Sequence, residues 1–216
     1  MTSPRHPSDW LRATVVRTTA DAPWVGAASR PPFYQFPDDA SLRRSWAWQQ
    51  HPLAGESLER VAFHEAGHVV LLGWLGVTEV HARAQPHRGE VNVLSALPQM
   101  DPDNAPLERP DLAATAAAIF HAGTCAELLA AGQPWTGPVL RLQQTDHQRA
   151  EAMLCQVFGA HASGAHAYAQ MAALHVLSHR WELVCGVASV LAREGRFRGG
   201  PASYESEPPR EAAAES

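Results

Sequence analysis

The chain has 216 residues, 45% of them apolar, and a net charge of −5, which is the balance of an ordinary globular protein of about one domain. All 17 of its positive charges are arginine and none is lysine, which excludes P-loop NTPases, pyridoxal phosphate enzymes and Ser-Lys hydrolases, since each needs a lysine. The arginines are scattered and form no basic stripe along the chain, so nucleic acid is not an expected partner.

Residues 1 to 55 hold many prolines and four of the seven tryptophans, Trp10, Trp24, Trp46 and Trp48, with short helical patches such as Ala40 to Gln50. They read as a loosely ordered arm that packs on the domain through its aromatic rings. The N-terminus, with Arg5, Asp9, Arg12 and Arg17, lacks a signal-peptide core, so a cytoplasmic location is expected. The domain proper is expected over residues 56 to 198.

From Ser57 the pattern changes: Leu58, Val61, Ala62, Val69 and Leu72 recur at helical spacing. Ser57 can cap this helix, Glu59 suits its first turn, and Gly73 or Gly76 can end it. The run Val69 to Leu75 is far short of the roughly 20 residues that span a bilayer, and no membrane span is expected. Val77 to Ala82 and Glu90 to Leu97 read as two strands joined by a turn in AQPHRG. A Pro/Asp loop follows from Pro98 to Pro110. Asp111 then reads as the N-cap of an Ala-rich helix over Leu112 to Ala131, stopped by Gly132. A third helix is expected from about Asp146 to Phe158, then one long helix or two over His166 to Arg193, closed by Gly195. The tail from Gly199 is polar and Pro-rich and reads as disordered. The predicted fold is mainly α, with a small two- or three-stranded β element beside the first helix. Cys125, Cys155 and Cys185 lack CxxC spacing and sit in Ala-rich surroundings, which predicts three buried, reduced thiols.

The chemistry concentrates in HEAGH, residues 64 to 68. Residues four apart share a helix face, so His64 and His68 can offer two imidazole nitrogens to one metal, while Glu65 projects beside them toward a bound water. Zinc held by three protein ligands keeps a fourth position for water and acidifies it, and a neighbouring carboxylate can take the proton. Gly67, unfavourable inside a helix, predicts close approach of a second helix. For the third ligand the chain offers Glu127, Asp146 and His147, and spacing alone does not choose among them. Asp146 has the advantage of a helix N-terminus, which can hold and aim a carboxylate. Because ligand histidines must be neutral, zinc affinity and activity are expected to fall below about pH 6.5.

Four stretches, in order, carry a family resemblance: VAFHEAGHVV with the VTEVH run after it, IFHAGTCAELLAAG, TDHQRAEAMLCQVFG, and HRWELVCGVASVLAREGRFRG. Over about residues 57 to 197 the chain resembles the peptidase domain of the FtsH-type membrane proteases, peptidase family M41. The resemblance implies a zincin-like helical peptidase domain and a zinc-dependent endopeptidase. In it His64, His68 and Asp146 bind Zn2+, Glu65 activates the water, and Glu127 orients a histidine from behind. The chain departs from the family pattern at Ala122, Thr124, Leu128 and Thr145, and its loop from Trp135 to Gln144 reads as longer; these departures bear on the supporting residues and the substrate edge. The family joins this domain to an ATPase ring and a membrane segment, for which this sequence offers no counterpart. The expected substrates are therefore flexible or unfolded polypeptides, or folded ones supplied by an ATPase in trans. The family's rings suggest a homo-oligomer by analogy.

Two other readings compete. One is a catalytically silent zinc-binding module that recruits a protein or ATPase partner, against which the intact Glu65 speaks. The other is an unrelated HExxH peptidase with Glu127 as third ligand. Among the remaining histidines, His175 and His179 read as structural or surface residues. His121 reads as a satisfied core residue, and His81 and His87 as exposed residues at the strand turn that border the cleft at most. The strand from Glu90 to Leu97 offers an edge on which an extended substrate can add.

Overall fold

The computed structural model describes residues 57–93, 110–132, 139–140, 145–159 and 162–199. The expected arm over residues 1–55, the loop that precedes Pro110, the longer loop after Gly132 except for residues 139 and 140, and the tail beyond Gly199 lie outside the described residues. The described chain runs α1 (Leu58–Trp74), β1 (Val80–Gln85), β2 (Arg88–Val91), α2 (Pro110–Ala130), α3 (Thr145–Phe158), α4 (Ala162–His179), α5 (Trp181–Glu194) and β3 (Arg196–Gly199). It is mainly helical, with one antiparallel sheet in the order β2-β1-β3.

α1 begins where its cap chemistry puts it. The Ser57 hydroxyl accepts the Arg60 backbone N–H at 3.2 Å, and Glu59 occupies the first turn. Of the two candidate stops it is Gly76 that ends the helix, with φ of 92° and the Val77 N–H bonded back to the Leu72 carbonyl at 3.1 Å. From Glu65 to Leu72 every residue of α1 is buried, packed by α2 and α5 and covered by the sheet. Gly67 makes the α1–α2 approach close: a Cβ there would collide with the Ala122 carbonyl and lie 2.8 Å from the Ala126 Cβ.

α2 is the central helix, against which α1, α3 and α4 all pack. By length and composition its stretch Ala113–Ala130 could cross a membrane, yet 89% of that stretch is buried inside the fold, as befits a core helix. It opens at Pro110, whose fixed φ suits a first helical position, so Asp111 lies within the first turn and is not the N-cap. The predicted His166 to Arg193 stretch is two helices, and Gly195 closes the second with φ of 69°.

The strands are displaced from their predicted places. β1 runs on to Gln85, and β2 begins at Arg88, because pairing of Gln85 with Arg88 leaves a two-residue turn of Pro86 and His87. His87 takes the left-handed φ of 70° there, a position that usually falls to Gly or Asn. β3, in the RFRG run after α5, was not predicted as a strand and pairs with the other edge of β1. Only Cys125 of the three cysteines is buried. Cys185 is half-buried and Cys155 exposed, because Cys155 falls off the α3 face that buries His147, Ala150, Met153 and Leu154.

Between α2, α3 and α4 lies a polar knot within the core. His121, His147 and His166 are all fully buried. His121 Nε2 meets His166 Nδ1 at 2.8 Å, and His166 Nε2 meets the Glu151 carboxylate at 2.7 Å. His147 Nε2 bonds Thr124 at 3.0 Å, and Gln170 ties the cluster to the backbone of Val139.

Candidate metal centre

One turn apart on α1, His64 and His68 turn their imidazoles the same way, with Nε2 atoms 3.2 Å apart. The first turn of α3 brings Asp146 to them. Its Oδ2 lies 3.3 Å from His68 Nε2 and 3.5 Å from His64 Nε2. These three side chains are the one group of three or more such ligands, among the described residues, that could hold a metal ion.

What stands behind the histidines decides which atoms they present. His68 Nδ1 lies 2.8 Å from the Ile119 carbonyl of α2, and a carbonyl only accepts, so Nδ1 carries the proton and Nε2 offers its lone pair. His64 Nδ1 lies 2.6 Å from Glu127 Oε1, which fixes the same tautomer. The other Glu127 oxygen takes the Arg60 Nε–H at 2.8 Å. With His64 neutral, two lone pairs and a carboxylate oxygen therefore converge on one point. His147, the neighbouring candidate, points the other way into the core and bonds Thr124. Glu127 stands behind His64 and outside the converging triangle.

The electrostatics at that point favour positive charge. Burial opposes charge on His64, yet hydrogen bonds to Asp146 and Glu127 and the nearby Glu65 outweigh it and raise its pKa to about 10. Burial likewise opposes ionisation of Asp146, but His64 and His68 hold it well below the usual carboxylate range. Glu127, despite burial, is held down to about 2 by His64 and Arg60. Glu65 is the exception among the three carboxyls: burial, helped by Asp146 and Glu127, raises its pKa against the pull of the two histidines. With no cation beside it, His64 is thus held protonated above its ordinary value, which would carry proton competition above the expected pH 6.5.

Two glycines make room for this geometry. A Cβ at Gly123 on α2 would strike the His64 imidazole, and a Cβ at Gly89 on β2 would strike the Glu65 carboxylate. The centre opens into a cleft of about 370 Å³, lined by Arg60, Val61, His64, Glu65, His87, Arg88, Gly89, Glu127, Thr145 and Asp146. His87 thus borders the cleft, while His81 faces solvent on β1 and pairs with Glu79. Of the four single-residue departures from the pattern noted in the sequence, Thr145 lines the cleft, while Ala122, Thr124 and Leu128 are buried in the core. His175 and His179 are exposed, with His179 Nδ1 bonded to the His175 carbonyl.

Sequence reading missed the Ile119 carbonyl, Arg60, Gly89, Gly123 and Arg88. Arg60 stands one turn before His64, so helical spacing could have found it; a backbone carbonyl leaves no trace in side-chain identity. The fold and centre together define a helical domain with a candidate metal-binding cleft under a small sheet. No protein-family model, no curated protein and no solved structure matches the chain.

Proposed function

We propose that the protein is a zinc metalloendopeptidase of zincin-like type that cleaves flexible or unfolded polypeptides. His64, His68 and Asp146 are its metal ligands and Glu65 its general base. The observation that carries this reading is the ligand triangle, with edges of 3.2, 3.3 and 3.5 Å. Tetrahedral zinc, with bonds of about 2.0–2.1 Å, requires ligand atoms about 3.3 Å apart. Two imidazoles and one carboxylate suit zinc better than magnesium or calcium, which prefer all-oxygen shells.

Zinc in this position would supply Lewis acidity to a substrate carbonyl and would acidify water at the site's open face. The protein's own groups do the rest. Glu65 is 5% exposed and its pKa is raised by burial, so its carboxylate is a base strong enough to take a proton and an acid able to return it to a leaving amide nitrogen. Gly89 places the backbone of β2 directly against that carboxylate. β2 is an edge strand, and an extended substrate added along it would pass its backbone by Glu65. A cleft of this size takes a few residues of extended chain, so a folded substrate must be unfolded before it can enter.

The test is Glu65→Gln. The variant is expected to keep stoichiometric zinc and to lose casein cleavage by about 10²–10⁴-fold. A wild-type protein that holds stoichiometric zinc but cuts nothing, alone or with cell extract, would remove the catalytic reading and favour a zinc-binding module that recruits a partner.

A further inference from the structure

The outer face of the sheet carries a repulsion that the metal centre does not explain. Pairing of β1 with β3 sets Arg83 directly opposite Arg196. Like charges opposite one another destabilise a sheet. Both are exposed, while the alternate positions Val80, Ala82, Ala84 and Phe197 are buried against the helices. On the same face Arg88 stands opposite Gln85, and Glu90 lies opposite Arg83 from β2 without an ion pair to it. Arg198, the remaining arginine of the face, pairs with Glu79 at 2.8 Å. Arg83, Arg88 and Arg196 make no ion pair or side-chain hydrogen bond among the described residues. Arg88 also lines the cleft beside Glu65 and Asp146. Residues scattered along the sequence thus form a row from β3 across β1 to the mouth of the metal cleft, in a molecule of net charge −5.

We infer that this row recognises an acidic segment of the polypeptide substrate and directs the adjoining chain into the cleft; the inference rests on the peptidase reading above. Each guanidinium offers a fork of donors that matches a carboxylate, and the long arginine side chains can splay from strands about 4.8 Å apart to meet carboxylates about 6.7 Å apart on one face of an extended peptide. Three arginines are too short a track for a nucleic acid, whose binding draws on about 6–10 phosphate contacts. Arg83 and Arg196 face each other without an ion pair among the described residues, a local conflict of the kind that marks a functional surface, and Glu90 opposite Arg83 offsets it only in part.

The experiment measures binding, so that it is independent of cleavage. A fluorescein-labelled peptide of about a dozen residues with glutamate at alternate positions is compared with its glutamine counterpart by anisotropy, on zinc-loaded protein. At low salt the glutamate peptide is expected to bind about tenfold more tightly, with the preference lost at high salt and in Arg83→Gln/Arg88→Gln/Arg196→Gln. The triple variant's thermal midpoint should not fall, because it loses the Arg83–Arg196 repulsion; should it misfold, Arg196→Gln alone is expected to show a partial loss of the preference. Equal affinity for the two peptides, a preference unchanged by the substitutions, or tighter arginine-dependent binding of single-stranded DNA of equal charge would overturn the inference. Acidic-peptide preference in a protein that cuts no casein sinks the peptidase reading and leaves the arginine row standing as a recognition surface. Casein cleavage without that preference sinks the row alone.

Discussion

α2 separates two crowded imidazole clusters with opposite electrostatics. On one side His64 and His68 converge with Asp146, and His64 holds its proton up to a pKa of about 10. On the other, His121 is pushed well below 6.5, first by burial and then by His147 and His166. Histidine density does not distinguish them. In the first cluster each Nδ1 is engaged from behind, by Glu127 or the Ile119 carbonyl, which leaves both Nε2 atoms facing one point. In the second the ring nitrogens are used on one another and on Thr124, Gln170 and Glu151, so none converge. What suits imidazoles to a metal is what occupies the far nitrogen together with surplus negative charge, and of these two clusters the first, which could hold a metal ion, has both.

The comparison can be broken most sharply at the ligands. His68→Ala or Asp146→Ala should reduce the metal content of purified protein from stoichiometric to background, a loss larger than the about 10–100-fold typical of groups behind the ligands. His121→Gln should leave metal content unchanged; retention of metal by Asp146→Ala would instead move the third ligand to Glu127. Next in size is the pH response. In the metal-free protein the raised pKa of His64 gives stability that is fully present below 6.5 and is lost as pH rises toward about 10. A metal must displace that proton, so apparent affinity, measured against a chromophoric chelator, should rise about tenfold per pH unit across this window. An affinity that is flat through it would show that His64 carries no proton for the metal to displace in this window.

Smaller effects sharpen the contrast from behind each cluster. Glu127→Gln weakens the carboxylate that sets the His64 tautomer and also releases Arg60, and it should lower metal affinity about 10–100-fold with little change in fold. His166→Leu strips His121 Nε2 and Glu151 of the bonds they make to it, and should cost about 1–3 kcal/mol in urea unfolding while metal content stays the same. If His166→Leu instead released metal, the two clusters would be coupled through α2.

Much of this was legible because helices announce themselves by spacing. The Ser57 cap, the buried face of α1, the HEAGH pair and the tight contact at Gly67 all follow from residues within one helix. What depends on distant pairing was not legible. β2 holds Arg88, Gly89 and Glu90, which have little strand character of their own and are extended only because β1 pairs with them. The apolar run from Val91 drew attention away from the strand's true start at Arg88, while residues 94 to 97 of the predicted strand lie outside the described residues. RFRG is too short and too charged to announce a strand. The choice between Asp146 and His147 turned on helix rotation, because adjacent residues point about 100° apart, one into the cleft and one into the core. Cys155 was misjudged for the same reason.

His64 and Asp146 stand 82 residues apart in sequence. The helices that carry them, α1 and α3, each pack on α2 and make little contact with one another. An ion bound between them is therefore a cross-link that closes a long loop, comparable in its effect on the unfolded chain to a covalent bridge worth ~4–5 kcal/mol. Chelation would cut that tie and free the start of α3 to swing from α1, so a chelator should unfasten this domain locally as well as silence it.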